Sequence, residues 1–598
     1  MSPQPVGQIR RSQAITTWGP GALIDLPRHS GIVGGLDTWP SVNQLDEIVE
    51  PRLTRRLTLM TGVASPRLYS PPADTAAPWE QRSGITLWRF PEWMVVQEKQ
   101  EKQTGNRRQG RLLVHRRALD ERGRFDGRAV VPTRFVRACQ RGHVQDVNWR
   151  SFLHGPGTQC TRQMWLEERG TSGDLADLVV RCDCGAGPRG MQEAAETGAL
   201  GPCWGARPWL GPHTAETCGL PSRLLIRTAS NAYFAHGMTA LSLPERGAEI
   251  DEAVQSQWAT LQVVNDLASL AVMRRLPAVA AALAGHSDEE VLDAIERLRD
   301  GAQERPVKLA ELDALLAAPE GYGEDVPVDP DFHARRLPPE AWRRPPVTDR
   351  IAAVVQLHRL REVIVQIGFT RLEAIVPDIN GEYDPDGPDL APLALEPQWF
   401  PAVENRGEGL LLALDSDAVQ AWLGRPGVAA RIDQLLAGWR EWAARRGIQR
   451  PFPGGPYVLV HTLSHLLLTQ LAMRCGYPAS SLRERIYVDH ETRQYAVLIY
   501  TASTDAEGTL GGLVSQARHI SSHLELALAA GGLCSNDPVC AQHAPGEGME
   551  ERWLHGAACH GCALIAETAC EMRNDLLDRA LVVPTLAVPD AAFFDPVL

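Results

Sequence analysis

Short apolar runs interrupted by Gly and Pro fill residues 1–95, as in Gly19-Pro20-Gly21-Ala22-Leu23-Ile24-Asp25 and Gly31-Ile32-Val33-Gly34-Gly35, and predict short strands joined by turns. Beyond residue 240 the period changes. Apolar positions three and four apart over residues 250–283 predict packed helices. Ser287 with Glu290 forms a capping box that opens a further helix through Leu292, Ile295 and Leu298. Seven prolines within residues 319–346 predict a linker or surface-wrapping segment. Helix is predicted again over residues 351–367 and 417–446. Near the C-terminus an apolar helix carrying His461 and His465 precedes a β-rich run, Tyr495-Ala-Val-Leu-Ile-Tyr500, a glycine-rich turn at 507–513 and a helix over 524–530. This order predicts a small α/β or α+β domain.

Composition places the chain among globular proteins. Of its 598 residues 44% are apolar and 22% charged, which excludes a disordered or collagen-like chain. A formal charge of −13 argues against coating nucleic acid or anionic membrane through bulk charge. That total conceals a contrast: residues 105–141 hold eleven arginines against Asp120, Glu121 and Asp126, a local charge of +8. The segment is either a solvated surface or a contact for nucleic acid or a partner protein. Only Lys99, Lys102 and Lys308 are lysines, and the other 57 of 60 basic residues are arginines, which suit planar contacts to phosphate or carboxylate and also reflect genome composition. The first thirty residues contain no apolar core of a secretory signal. No window offers an uninterrupted membrane span, the best, 267–283, being broken by Arg274 and Arg275. A reducing, cytoplasmic setting without membrane association is expected. There, clustered cysteines hold metal more often than they form disulfides.

The twelve cysteines fall into two clusters and one isolate, Cys475. In the distal cluster Cys559-His-Gly-Cys562 is a knuckle that sets two thiolates at two corners of a zinc tetrahedron. Cys534, Cys540 and Cys570 compete for the other two corners; the preferred set is Cys540, Cys559, Cys562 and Cys570, with Cys534 able to replace Cys540. Four sulfurs saturate the ion and make such a site structural. The proximal cluster comprises Cys139, His143, His154, Cys160, Cys182, Cys184, Cys203, His213 and Cys218, enough for one zinc or two. The spacing of Cys182 and Cys184 is shorter than the usual knuckle, so either one of them ligates or they serve different metals. His461 and His465 share a helix face, but His-Thr-Leu-Ser-His lacks the glutamate of the zinc-protease motif, so they are read as core or interface histidines. Neither a phosphate loop nor a nucleophile elbow is present, and no G-x-G-x-x-G is expected after a strand.

The expected fold class is therefore α+β multidomain. It comprises an N-terminal β-rich segment (1–95), a Cys/His zinc-binding module with the basic stretch (96–235), and a helical region with a Pro-rich linker (240–345). A helical or mixed connector (350–450) follows, then a C-terminal α/β domain closed by a four-cysteine zinc site (451–598).

Three C-terminal runs, Cys534-Ser-Asn-Asp537-Pro538-Val-Cys540, Gly556-Ala-Ala-Cys559-His-Gly-Cys562 and Cys570-Glu-Met-Arg-Asn574, resemble the cysteine-bearing domain C-terminal to MrfA-like repair helicases. His461-Thr-Leu-Ser-His465 and the run from Tyr500 to Leu513 fit the body of that domain. Arg11-Ser12-Gln13, Gly19-Pro20-Gly21-Ala22, Cys139-Gln-Arg-Gly142-His143 and Cys203-Trp-Gly-Ala-Arg-Pro208-Trp209-Leu210 are similar to the DrmB family of the DISARM anti-phage system. The resemblance implies a non-catalytic partner of the DrmA helicase in a heterodimer that binds phage DNA, working alongside a DNA methyltransferase. The cysteine and histidine clusters themselves imply one C-terminal Zn2+ and one or two N-terminal ones. By charge alone, Arg107, Arg108, Arg111, Arg116, Arg117, Arg134 and Arg137 are the candidate phosphate contacts. Two other readings of the residues stand beside it: a metal-dependent nuclease or hydrolase with an open position in the proximal cluster, and a protein-only scaffold.

Overall fold

The computed structural model describes residues 9–595 apart from 27–28, 74–83, 99, 103–107, 170–172, 244–247, 300–305, 323–328, 330, 376, 382, 384–389, 502–511 and 546–552. The chain divides into two compact units. The first comprises Met1–Thr239, Val363–Pro377 and Tyr383–Glu404, and the second Ala240–Glu362, Asp378–Glu382 and Asn405–Leu598.

The first unit is built from short strands. Leu23–Asp25, Ser30–Val33 and Leu87–Arg89 form one antiparallel sheet, and Val144–Asp146, Phe135–Ala138 and Arg223–Ile226 a second. A seven-stranded sheet runs Arg189–Gly190, Leu178–Cys182, Met164–Glu168, Arg108–His115, Trp93–Val96, Val130–Pro132, with Gln100–Lys102 also paired to Arg108–His115. Alternation along Met164–Glu168 and Leu178–Cys182 drives Met164, Leu166, Leu178 and Val180 into a core with Val95, Leu113, Trp149 and Phe152. Cys182 ends one of these strands within this core, and Cys160 packs against it.

In the second unit the predicted helical stretch is present as short pieces, Ala248–Ser256, Trp258–Leu261, Leu267–Met273 and Pro277–Ala282, followed by Asp288–Arg299. The breaks have local causes: Asp266 and Ser269 make a capping box, and Pro277 occupies a helix N-terminus. The Ser287 box forms as expected, with Glu290 N–H donating to Ser287 Oγ (3.3 Å) and Ser287 N–H to Glu290 Oε2 (2.9 Å). Ile250, Val254, Leu261, Leu270, Val279, Val291 and Ile295 bury together.

Three readings of secondary structure are corrected. Residues 351–367 are not helix but most of a twenty-residue strand, Ile351–Thr370, buried along nearly its whole length. Burial on both faces erases the two-residue alternation, and an apolar run of that kind is ambiguous by period alone; its valines and isoleucines were the available signal. The proline-rich segment contains the strand Phe332–Arg336, paired antiparallel with residues 355–360, and the short helix Pro339–Trp342, whose Trp342 is buried. Its prolines punctuate elements and do not prevent them. Residues 417–446 form two helices, Ser416–Leu423 and Pro426–Arg446, separated where Pro426 begins the second.

At the C-terminal end, helix Gly455–Cys475 is buried on almost every side. It packs on the hairpin of Leu482–Asp489 and Gln494–Thr501, whose register runs from Leu482↔Thr501 to Asp489↔Gln494. Helix Ile520–Gly531 follows, while residues 507–511 of the predicted glycine-rich turn lie outside the described residues.

Candidate metal centres

All twelve cysteines are unbridged, and eleven of them fall into four groups whose ligand atoms lie within 4.8 Å of one another. For a tetrahedral zinc with Zn–S near 2.3 Å, sulfur–sulfur edges should be about 3.8 Å.

The first group is Cys139, His143, Cys203 and Cys218. Strands Phe135–Ala138 and Val144–Asp146 form a hairpin whose tip carries Cys139 and His143. Gly142, at φ +77°, closes that turn where a side chain would collide with Ala391. His143 Nδ1 lies 3.3 Å from Cys139 Sγ, while its Nε2 is 2.8 Å from Glu216 Oε1; Arg207 holds the other oxygen of that carboxylate at 3.0 Å. A carboxylate behind the imidazole is the usual means of orienting a metal-binding histidine. Gly205 N–H donates to Cys203 Sγ (3.3 Å), and hydrogen bonding from the Cys139 thiol, opposed by burial, brings Cys203 down to about 4. Cys139 moves up correspondingly, through that shared hydrogen bond and burial.

The second group is His154, Cys160, Cys182 and Cys184. His154 ends the helix Trp149–His154, which Asn148 caps, and Cys182 ends the strand Leu178–Cys182. Arg150 gathers the carbonyls of Cys160 (2.6 Å) and Arg162 (3.1 Å), and Trp165 Nε1 donates to Asp183 Oδ1 (2.8 Å), pinning the turn between Cys182 and Cys184. Both cysteines of the short spacing therefore enter one group. Cys160 and Cys182 Sγ are 3.6 Å apart, near the expected tetrahedral edge. The nine proximal candidates thus separate into two sets, each of three cysteines and one histidine, with His213 in neither.

The third group is Cys534, Cys540, Cys559 and Cys562. Sulfur separations are 3.5 Å (Cys534–Cys559), 3.7 Å (Cys559–Cys562) and 3.8 Å (Cys540–Cys562). Donors surround the sulfurs: Asn536 Nδ2 and Gly561 N–H reach Cys559 Sγ at 3.3 Å, and Cys559 N–H reaches Cys562 Sγ at 3.3 Å. Burial raises the Cys559 thiol, yet the donors from Asn536 and Gly561 prevail and bring it down to about 7. The preferred set is corrected here: Cys534 and Cys540 are both present, and Cys570 is not. Cys570 lies instead in a fourth, wholly buried group with His461, His465 and Glu484. The two histidines are buried and hydrogen-bonded within the domain, as expected, and their ligand atoms lie in this group. Sequence reasoning missed Glu484, which comes from a strand nineteen residues beyond His465 in the chain.

Two family models match the chain: a domain of unknown function, DUF8724, over residues 10–234, and the MrfA Zn-binding domain over residues 463–563. DISARM protein DrmB of Bacillus paralicheniformis is 30% identical over 491 residues, covering 79% of this chain and 84% of that protein. The chain belongs to the DrmB family. Three of the four metal-capable groups lie wholly or mostly within the matched regions, while Cys570 and His461 fall outside the Zn-binding match.

The candidate arginines of this DrmB-family chain have unequal surroundings. Arg107 lies outside the described residues, and Arg108 is placed only as the first residue of its strand. Arg111 is 3.6 Å from Glu168, and Arg116 donates to Glu92 (3.1 Å). Arg117 and Arg134 are exposed, the latter donating to Gly173 O (2.8 Å). Arg137 is corrected: it is 1% exposed, stacks on Trp204 and donates to Leu200 O (2.6 Å), so it serves the fold and not the surface. An open cleft of about 1030 Å³ is lined by Arg89, Arg116, Arg122 and Arg124 with Trp88 and Met94; Asp120 and Glu121 also face it. Among the described residues no helix is long and apolar enough to cross a membrane.

Proposed function

We propose that this chain is a zinc-stabilised, non-catalytic subunit of a DISARM anti-phage complex, partnering a DrmA-type helicase and helping it engage DNA. The observation that carries this reading is the family membership combined with four-donor metal groups. A set of four cysteines, or of three cysteines and one histidine, fills a tetrahedral ion and leaves no position for substrate or activated water, which favours a structural role over the hydrolase alternative. A match to a Zn-binding domain named for MrfA supports the helicase connection. The DNA surface is assigned to the arginine-lined cleft, which Trp88 also lines.

Co-purification with the helicase and DNA binding across a salt series test the proposal together. Arg122→Glu with Arg124→Glu should leave the protein complex intact, weaken DNA binding roughly tenfold or more, and flatten its dependence on salt by about two phosphate contacts. Absence of a stable complex with the helicase, together with unchanged DNA binding by it, would overturn the assignment.

A further inference from the structure

The fourth group differs in chemistry from the other three, and its hydrogen bonds identify what it lacks. His465 Nδ1 is 2.7 Å from Ala563 O, and His461 Nδ1 is 3.3 Å from Leu576 O. A carbonyl can only accept, so both Nδ1 atoms donate and both Nε2 atoms face inward. They face a carboxylate and a thiol. His461 Nε2 is 3.0 Å from Glu484 Oε1 and 3.1 Å from Cys570 Sγ, and His465 Nε2 is 3.4 Å from the same Glu484 oxygen. The last approach lacks hydrogen-bond geometry, leaving His465 Nε2 buried without a hydrogen-bond partner; Glu484 Oε2 is likewise unpartnered. Asn574 N–H donates to Cys570 Sγ (3.2 Å), marking the sulfur as an acceptor too.

Four inward-facing ligand atoms at 0–8% exposure, with His465 Nε2 and Glu484 Oε2 left without hydrogen-bond partners, are a costly arrangement unless a cation lies among them. We propose that His461, His465, Glu484 and Cys570 bind a divalent ion of the zinc class, at a site separate from the four-cysteine group. Nitrogen and sulfur donors disfavour Mg2+ and Ca2+ and suit Zn2+. A thiolate and a carboxylate neutralise the ion, so the occupied site carries no net charge, as full burial requires. Donor separations of 3.0–3.4 Å match the roughly 3.3 Å edge of a tetrahedron with bonds near 2.0 Å.

The site fastens three elements that are distant in sequence: helix Gly455–Cys475 through its histidines, strand Leu482–Asp489 through Glu484, and the terminal loop through Cys570. It also supports the four-cysteine group, since the carbonyl that orients His465 belongs to Ala563, next to Cys562. With all four protein donors engaged and buried, the ion is structural.

Zinc content of the full chain, measured by elemental analysis, tests this. Cys570→Ala and His465→Gln should each lose one equivalent, and the double variant should also lose only one, because the two residues share an ion. Wild-type zinc content in both single variants would overturn the proposal. Should either variant fail to fold, zinc-edge X-ray absorption of the wild-type protein decides. Nitrogen and oxygen should make up roughly one third of donors with the fourth site filled, and roughly one sixth, the overturning result, with the other three groups alone.

Discussion

At the scale of single residues, the metal groups depend on backbone positions as much as on ligands. Gly205 stands at φ +69°, and a Cβ there would lie 1.8 Å from the carbonyl oxygen of Glu216, the residue that backs His143. Gly205→Ala should therefore displace the Cys203–Cys218 loop and remove one zinc from the N-terminal unit. A loss on the order of 3 kcal/mol is expected in thermal or urea unfolding, with zinc content as the diagnostic readout. A second prediction concerns Asp146, which accepts N–H bonds from Glu92 (3.0 Å) and Trp93 (3.2 Å). Burial outweighs those bonds and pushes its carboxyl from 3.8 up to about 6. The folded chain thus holds this proton more tightly than the unfolded one, so the group's stabilising contribution is complete below about pH 4 and is lost as pH rises to 6. Asp146→Asn should gain on the wild type across that window and stay level above it, read as the difference in urea midpoints. Ligand identity was only partly legible at this scale. Tight spacing marked Cys559 and Cys562, but Cys570 lies only eight residues from Cys562 and joins a different group, because the intervening chain turns toward helix Gly455–Cys475.

Among elements, burial of charge obscured the pattern most. Helix Val307–Leu316 buries Lys308 and Glu311 beside Leu312 and Leu315, so its buried face is half ionic and has no simple apolar stripe. Glu311 accepts from Arg485 Nε (2.6 Å) and Nη2 (2.9 Å), and Lys308 donates to Ile379 O (3.0 Å) and Glu571 (2.7 Å). Burial lowers the Lys308 pKa, partly offset by the Glu571 charge. Glu571 adjoins Cys570, and its N–H donates to Glu484 (3.2 Å), so this pair borders the proposed fourth site. Lys308→Met should cost about 3 kcal/mol, because it leaves Glu571 without its nearest cation in a low-dielectric setting; chemical denaturation measures it. Lysine scarcity was visible in the sequence, yet the reason one of three lysines sits here was not: the contact is made across 263 positions. The strand Ile351–Thr370 illustrates the same limit, since burial on both faces removes the alternation that identifies strands.

On the scale of the whole molecule, a charge of −13 coexists with an arginine-lined cleft in the first unit. The balance argues against indiscriminate attraction to nucleic acid, which is why the salt slope is the informative quantity in the DNA experiment. Much of the +8 segment is committed internally, as with Arg137, Arg111 and Arg116, so local charge overstated the number of available cations. Cleft residues Arg89, Arg122 and Arg124 become candidates only once the strands are assembled. By itself the sequence determined the α+β character, the presence of metal-binding groups toward both ends and the DrmB-like motifs, because these follow from spacings within a single turn or hairpin. Only the tertiary structure decided that the proximal candidates form two sets of three cysteines and one histidine, that Cys534 displaces Cys570, and that His461, His465 and Glu484 meet that freed cysteine. A tetrahedron takes its corners from wherever the fold brings four donors within a few ångströms, and separation along the chain does not restrict that choice.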